Sequence, residues 1–291
     1  MISNSTGRTG VNVSALGFGA GHIGSPDQTD REVQALLNHL GELGITFIDT
    51  ARGYGLSEER LGRLLTNRSH MVLCTKVGYG VDGVADWTYD CVVQGVERAL
   101  RVLQTDYLDV VLLHSCPQDT LRRYEVVQGL LNVKARGLVR AIGYSGDNED
   151  LEFAVSLGDL DIYEGSFNLF DQKKLNLLNR IRGEQKGFIA KRPLGNAPWR
   201  FAERPVGHYG ETYWERMKVL GVLDHDPEPG KTALRFAAYS PGVSTAIAGT
   251  AQLKHLDQLC SWMEEGALPA ERLQEILDAY QEKGASWRSE I

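Results

Sequence analysis

Cysteine is scarce in this 291-residue chain: Cys74, Cys91, Cys116 and Cys260 are the only four, and none forms a C-x-x-C pair. Four are too few to staple a chain this long and are spaced wrongly for a zinc ribbon, so the thiols are expected to be reduced. Cys116 follows His114 by two residues, but no separate partner base is apparent, and a small buried thiol is the plainer reading. The seven histidines show no H-x-x-x-H or His/Cys finger spacing, so no metal site is expected. Basic charge is short as well: a formal net charge of −7 gives no general field for a phosphate backbone, which argues against nucleic-acid binding as the main function. No stretch is apolar for the length of a membrane span, and the opening MISNSTGRTG has no signal-peptide core. The expectation is a cytoplasmic protein with a small-molecule partner, no nucleic acid and no membrane. Low-complexity and Pro/Ser-rich linkers are also missing, which predicts one domain over residues 1–291.

Apolar runs bounded by turn residues occur at 14–19, 46–51, 71–77, 108–115, 139–145, 162–168, 187–194 and 244–249. Helical periodicity falls at 29–43, where Thr29 and Glu32 form a capping-box pattern, then at 57–67, 88–103, 119–136, 148–157, 171–183, 227–239 and 252–264. Eight short apolar strands, each followed by a helix, predict a single closed (β/α)8 TIM barrel with an N-terminal extension and long rim loops. The segment GAGHIG (19–24) fits G-x-G-x-x-G and raises a dinucleotide-loop reading. However, SPDQ separates Gly24 from the Thr29 cap, whereas the dinucleotide fingerprint packs its last glycine at the helix start. It therefore reads as the first βα loop of the barrel. His22 within it has two open readings, a substrate contact or a solvent-facing side chain. The stretch 195–226, rich in Trp, Tyr, Pro and Gly, is the longest irregular segment and the expected functional loop.

Active sites of such barrels form where strands end, and here three consecutive strands finish in polar residues. Strand two ends at Asp49 and leads to Tyr54, strand three carries Lys76, and strand four ends at His114. Singly, each has a structural explanation: a turn cap, a packed phenol, an ion-pair partner or a core imidazole. On adjacent strand ends they converge on one place.

The strings FIDTARGYGLSEERLGRLL (47–65), VLCTKVG (72–78), DYLDVVLLHS (106–115) and GLVRAIGYS (137–145) resemble the aldo-keto reductase family over nearly the whole chain. That resemblance implies a catalytic tetrad of Asp49, Tyr54, Lys76 and His114, and hydride transfer between a nicotinamide and a small aldehyde, ketone or sugar lactol. A phenol loses its proton reluctantly, and a nearby ammonium favours phenolate. Lys76 would supply that field, Asp49 would hold Lys76, and His114 would hydrogen-bond the carbonyl oxygen. The resemblance further implies cofactor contacts from Ser145, Glu164, Lys191, Arg192, Leu194, Gly195, Asn196, Gly249, Thr250, Lys254, His255 and Gln258, with Asn168 as a neighbour.

Several positions depart from the family pattern. Gly146 stands where Asn usually follows the Ser, Glu164 where a carboxamide-contacting Gln is usual, and Lys191 where an aromatic ring often stacks. His255 takes the place of the usual 2′-phosphate Arg. NADP(H) remains the family expectation, and NAD(H) stays open. Candidate substrate contacts are His22, Tyr79, Trp87, Trp199, Tyr209 and Trp214, several of which have a loop-packing alternative. Two other readings stand beside the enzyme. One is a nucleotide-binding regulatory or interaction subunit like the channel-associated members of the same family. The other is a metal-independent (β/α)8 lyase or isomerase using Lys76 as a Schiff-base former.

Overall fold

The chain enters through a small antiparallel hairpin, β1 (Ser3–Ser5) and β2 (Asn12–Ser14), which is the expected N-terminal extension. The computed structural model describes residues 1–290. Eight parallel strands follow: β3 (Leu16–Gly19), β4 (Phe47–Asp49), β5 (Val72–Val77), β6 (Leu108–His114), β7 (Val139–Ser145), β8 (Ile162–Ser166), β9 (Gly187–Lys191) and β10 (Thr245–Ala248). They pair in sequence, and β10 closes the barrel on β3 through Ala246 opposite Leu16.

Strand side chains alternate between the two faces, so residues two apart share the interior. Phe47, Val72, Cys74, Val110, Leu112, Ala141, Ile162 and Ile189 fill the lower interior, and Val11 and Val13 of the hairpin join them as a plug. Continuing each row by two residues gives Asp49, Lys76, His114, Glu164 and Lys191, and in β7 a further step past Gly143 gives Ser145. The polar upper layer is therefore the same face of the same strands as the apolar floor. The floor anchors it by the hydrophobic burial that holds the barrel.

The outer layer comprises α1 (Asp30–Glu42), α2 (Ser57–Leu64), α3 (Tyr89–Val102), α4 (Gln118–Arg123), α5 (Glu125–Ala135), α6 (Asn148–Ser156), α7 (Leu175–Gly183), α8 (Glu211–Leu220), α9 (Pro229–Ala238), α10 (Leu253–Glu264) and α11 (Ala270–Lys283). At the start of α1 the Thr29 hydroxyl accepts from Glu32 N at 3.3 Å while Thr29 N donates to the Glu32 carboxylate at 2.8 Å, completing the capping box.

Four expectations change. The helix expected over 119–136 is split by Tyr124, whose left-handed φ of 66° interrupts the hydrogen-bond ladder between α4 and α5. The helix expected from 171 begins at Leu175, because Asn168 and Asp171 first close a tight bridge. The loop expected over 195–226 contains α8, whose mixed aromatic and charged sequence hides its periodicity. Finally, α11 extends beyond the eight expected helices.

GAGHIG forms the first rim loop and packs against the second. Leu56 N donates to Gly24 O at 3.0 Å, and a Cβ on Gly24 would sit 1.7 Å from Tyr54 O. The third glycine is thus required by the approach of the Tyr54 backbone. Gly24→Ala is expected to destabilise the fold by about 1–3 kcal/mol through overpacking, read as a lower urea midpoint at unchanged m-value.

Candidate active site

At the centre of the upper layer, Lys76 Nζ lies 2.6 Å from both Asp49 carboxylate oxygens and donates to Thr50 O at 3.1 Å. Glu164 Oε1 is 3.7 Å from the same ammonium and accepts from Ser145 Oγ at 2.8 Å. Asp49, Lys76 and Glu164 are each only 2% exposed, and Glu164 Oε2 has no hydrogen-bond partner among the described residues. Ligand atoms of Asp49, Cys74 and Glu164 come within 4.8 Å of one another, a spacing compatible with a metal, but Lys76 already supplies a cation to both carboxylates.

Two buried carboxylates share one ammonium, so their titrations are linked. Burial, followed by the Glu164 charge, pushes Asp49 up to about 7 against the pull of Lys76. Burial also works against ionised Glu164, yet Lys76, Lys191 and the Ser145 hydroxyl hold it below the ordinary carboxylate range. Despite its own burial, Lys76 is kept well above its usual pKa by Asp49 and Glu164. It is the fixed charge of the site.

Tyr54 hangs over this cluster, with Lys76 Nζ 5.1 Å from its ring centroid and the His114 ring edge-on at 6.1 Å. Burial pushes the phenol up to about 12. Lys76 opposes that rise, while Asp49 and Glu164 add to it. The ammonium therefore favours phenolate as expected, but burial and the two carboxylates outweigh it. Tyr54 is a neutral phenol at neutral pH. His114 is lowered to about 4 by burial and by Lys76, with Lys191 adding to the effect, so its imidazole is neutral. Its Nδ1 is 2.9 Å from Tyr79 Oη.

A 240 Å³ hollow over Asp49 and Tyr54 shares His22, Arg192, Ile247 and Gly249 with an adjoining 680 Å³ cleft that reaches Leu194, Asn196, Thr250 and His255. Arg192 and Arg200 both line the cleft. Among the described residues neither has a carboxylate partner, and Arg200 reaches only His208 and the Tyr209 hydroxyl, at 3.4 and 3.3 Å. In a chain with an excess of acids, two unneutralised guanidiniums in one cleft suit an anionic ligand. The start of α10 adds to this character: Gln252 N is held by Thr250 Oγ1 at 3.1 Å, and His255 Nδ1 meets the same hydroxyl at 3.1 Å. A Cβ on Gly249 would come within 2.9 Å of Gly19 O, so glycine keeps the cleft floor open.

The remaining expected contacts separate into groups. Ser145 and Glu164 face the Lys76 cluster below the cleft. Lys191 is tied to Asp147 at 3.0 Å, with Lys174 on the other carboxylate oxygen at 2.7 Å. Gly195 supplies a left-handed turn, φ 53°, between Leu194 and Asn196. Lys254 and Gln258 are exposed on α10 and do not line the cleft. Tyr209 lines it, and Asn196 Nδ2 donates to Tyr209 O at 3.0 Å. The tryptophans expected around a substrate instead pack the rim. Trp87 lies against Tyr79 at 5.8 Å, Trp214 Nε1 donates to Phe201 O at 3.0 Å, and Trp199 packs toward Gly230. Arg200 and Gln252 were not anticipated. An arginine between two aromatic residues in a Gly/Pro-rich loop carries no periodic signal, and Glu203 three residues on offers a partner in the sequence that the fold does not bring to it.

A (β/α)8 barrel with a buried Lys–Asp pair below a phenol and a neutral imidazole belongs with the barrel oxidoreductases. The Aldo/keto reductase family model matches residues 15–281, and the chain belongs to that family. It is 28% identical to L-galactose dehydrogenase of Arabidopsis thaliana over 274 residues, covering 87% of this chain and 85% of the relative. Identity to D-threo-aldose 1-dehydrogenase of a Pseudomonas species is 26% over 292 residues, covering 86% and 89%. A putative aldo-keto reductase structure from Pseudomonas aeruginosa superposes with a TM-score of 0.74 at 30% identity, covering 91% of this chain and 94% of that one. The protein is an oxidoreductase of a family that generally uses NAD(P)(H). Among the described residues no helix is long and apolar enough to cross a membrane.

The linked carboxylates give a direct test. In the parent protein, the infrared carbonyl stretch of a buried carboxylic acid is expected to vanish as pH rises through about 7. Glu164→Gln removes the neighbouring negative charge, which favours the Asp49 carboxylate and moves this step to lower pH. A step that stays in place contradicts the coupling.

Proposed function

We propose that the protein interconverts a carbonyl and an alcohol on a small sugar-derived substrate, with Tyr54 as general acid in reduction and general base in oxidation. The observation that carries this reading is the neutral Tyr54 phenol above the Lys76–Asp49 pair, in a hollow that adjoins a cleft lined by two unneutralised arginines. Bound reduced nicotinamide supplies the hydride to the carbonyl carbon. The chain supplies the rest: Tyr54 gives its hydroxyl proton to the carbonyl oxygen, Lys76 stabilises the phenolate left behind, and Asp49 keeps Lys76 charged and aimed. His114, uncharged, donates a hydrogen bond to the same oxygen and orients it without competing for the proton.

The orphaned Glu164 oxygen and the arginine-lined cleft fit the two ends of a nicotinamide dinucleotide. Glu164 would accept from the carboxamide, and Arg192 with the α10 N-terminus would hold phosphate. NADP(H) is the favoured form, because Arg200 and His255 both line the cleft and offer positive or donor groups to a 2′-phosphate. The sugar-derived substrate class is suggested by relatives named L-galactose dehydrogenase and D-threo-aldose 1-dehydrogenase.

Tyr54→Phe is expected to lower turnover by roughly 10²–10⁴-fold while nucleotide affinity, measured by fluorescence titration, stays within a few-fold. Unchanged turnover at saturating substrate removes Tyr54 from the reaction. In the same titration, Arg200→Ala is expected to weaken NADPH by roughly tenfold or more with little change for NADH, the effect of losing one charged hydrogen bond. Lys254→Ala should alter neither. Equal losses for both nucleotides in Arg200→Ala overturn the NADP(H) preference.

A further inference from the structure

His114 can orient a carbonyl oxygen as proposed above only if the nitrogen that does not meet Tyr79 carries the proton. A neutral imidazole has one N–H, and the bond made by its other nitrogen decides which tautomer is present. The only partner of Nδ1 among the described residues is Tyr79 Oη at 2.9 Å. Resting on that reading of the site, we propose that Tyr79 is a positioning residue that fixes His114 in its Nε2–H tautomer by donating its phenolic proton to Nδ1.

The direction of this bond follows from the chemistry of the pair. A phenol O–H is a good donor and an imidazole lone pair a good acceptor. The reverse arrangement would set a weakly acidic imidazole N–H against a weakly basic phenol oxygen. The ring stays neutral over the working range, so a second N–H does not satisfy both sides at once. The two rings also lie nearly parallel, 28° apart with centroids at 5.6 Å, which holds the hydroxyl near the edge that bears Nδ1.

Tyr79 is itself built into place. Trp87 packs against its ring at 5.8 Å, and Trp87 N donates to Gly78 O at 2.7 Å, closing the loop after β5. Gly78 adopts φ 127°, where a Cβ would lie 2.3 Å from the Trp87 ring. Arg52 from the second rim loop donates to Tyr79 O at 3.3 Å. Gly53 beside it leaves room for the hydroxyl, since a Cβ there would be 3.2 Å from Tyr79 Oη. Tyr79 and Trp87 thus support His114.

The test is a ¹⁵N–¹H long-range correlation spectrum of the full-length, ¹⁵N-histidine-labelled protein near neutral pH, with His114 assigned by loss of its signals in His114→Gln. The parent should show His114 as the Nε2–H tautomer. Tyr79→Phe, which keeps the ring, should shift it to a mixture or to Nδ1–H. Gly53→Ala, which crowds the hydroxyl, should move it the same way and provides a second route should the Phe variant fold poorly. Carbonyl reduction by Tyr79→Phe should fall roughly 10–100-fold in kcat/KM with nucleotide affinity unchanged. An Nδ1–H tautomer in the parent, or an unaltered Nε2–H tautomer in both variants, overturns the proposal. A shifted tautomer with undiminished kcat/KM upholds the Tyr79 assignment and instead removes His114 from the proposed reaction.

Discussion

The Lys76–Asp49 ion pair is the constraint on which the candidate site depends. Buried charges are tolerated only when paired and hydrogen-bonded, and removing one partner of such a pair destabilises by about 3–5 kcal/mol. Here the ammonium has two carboxylate oxygens at 2.6 Å and a backbone carbonyl at 3.1 Å, so its position is set by several bonds. From that fixed charge follow the restraint on Tyr54, the suppression of charge on His114 and the hold on ionised Glu164. Removing Lys76 would leave two buried carboxylates facing each other and would change all three groups together.

The barrel makes such a cluster affordable by placing it directly above apolar layers. Alternation along five neighbouring strands converts Val72, Val110 and Ile162 below into Lys76, His114 and Glu164 above, and the hairpin valines close the other end. The rim loops then add what the strands lack. The first two meet backbone to backbone at Gly24 and Tyr54, which fixes the phenol over the ammonium, and the loop after β5 brings Tyr79 to His114.

Strand order and the convergence of Asp49, Lys76 and His114 were legible in the sequence because a two-residue period and a strand-end position are local properties. The same period puts Glu164 inside, but its effect on Asp49 was not legible, since that depends on a distance across the barrel between β4 and β8. The Lys191–Asp147–Lys174 arrangement was hidden for the same reason: it joins β9 to two loops that no spacing relates. The tryptophans stayed ambiguous because an aromatic residue in a long loop has the same composition signal whether it faces a ligand or packs beneath the loop. Arg200 was not legible because the lack of a carboxylate partner is revealed only by three-dimensional contacts.

The central claim is that the Lys76 charge supports proton transfer by Tyr54 during hydride transfer to a carbonyl. The most direct measurement is single-turnover reduction of a sugar-derived aldehyde with C4-deuterated reduced nicotinamide, following deuterium in the product by mass spectrometry for the parent and Lys76→Met, both saturated with nucleotide. The account predicts label on the former carbonyl carbon and a transfer rate roughly 10²–10⁴-fold lower in Lys76→Met. An equal rate in the two proteins, or product without label, would contradict it.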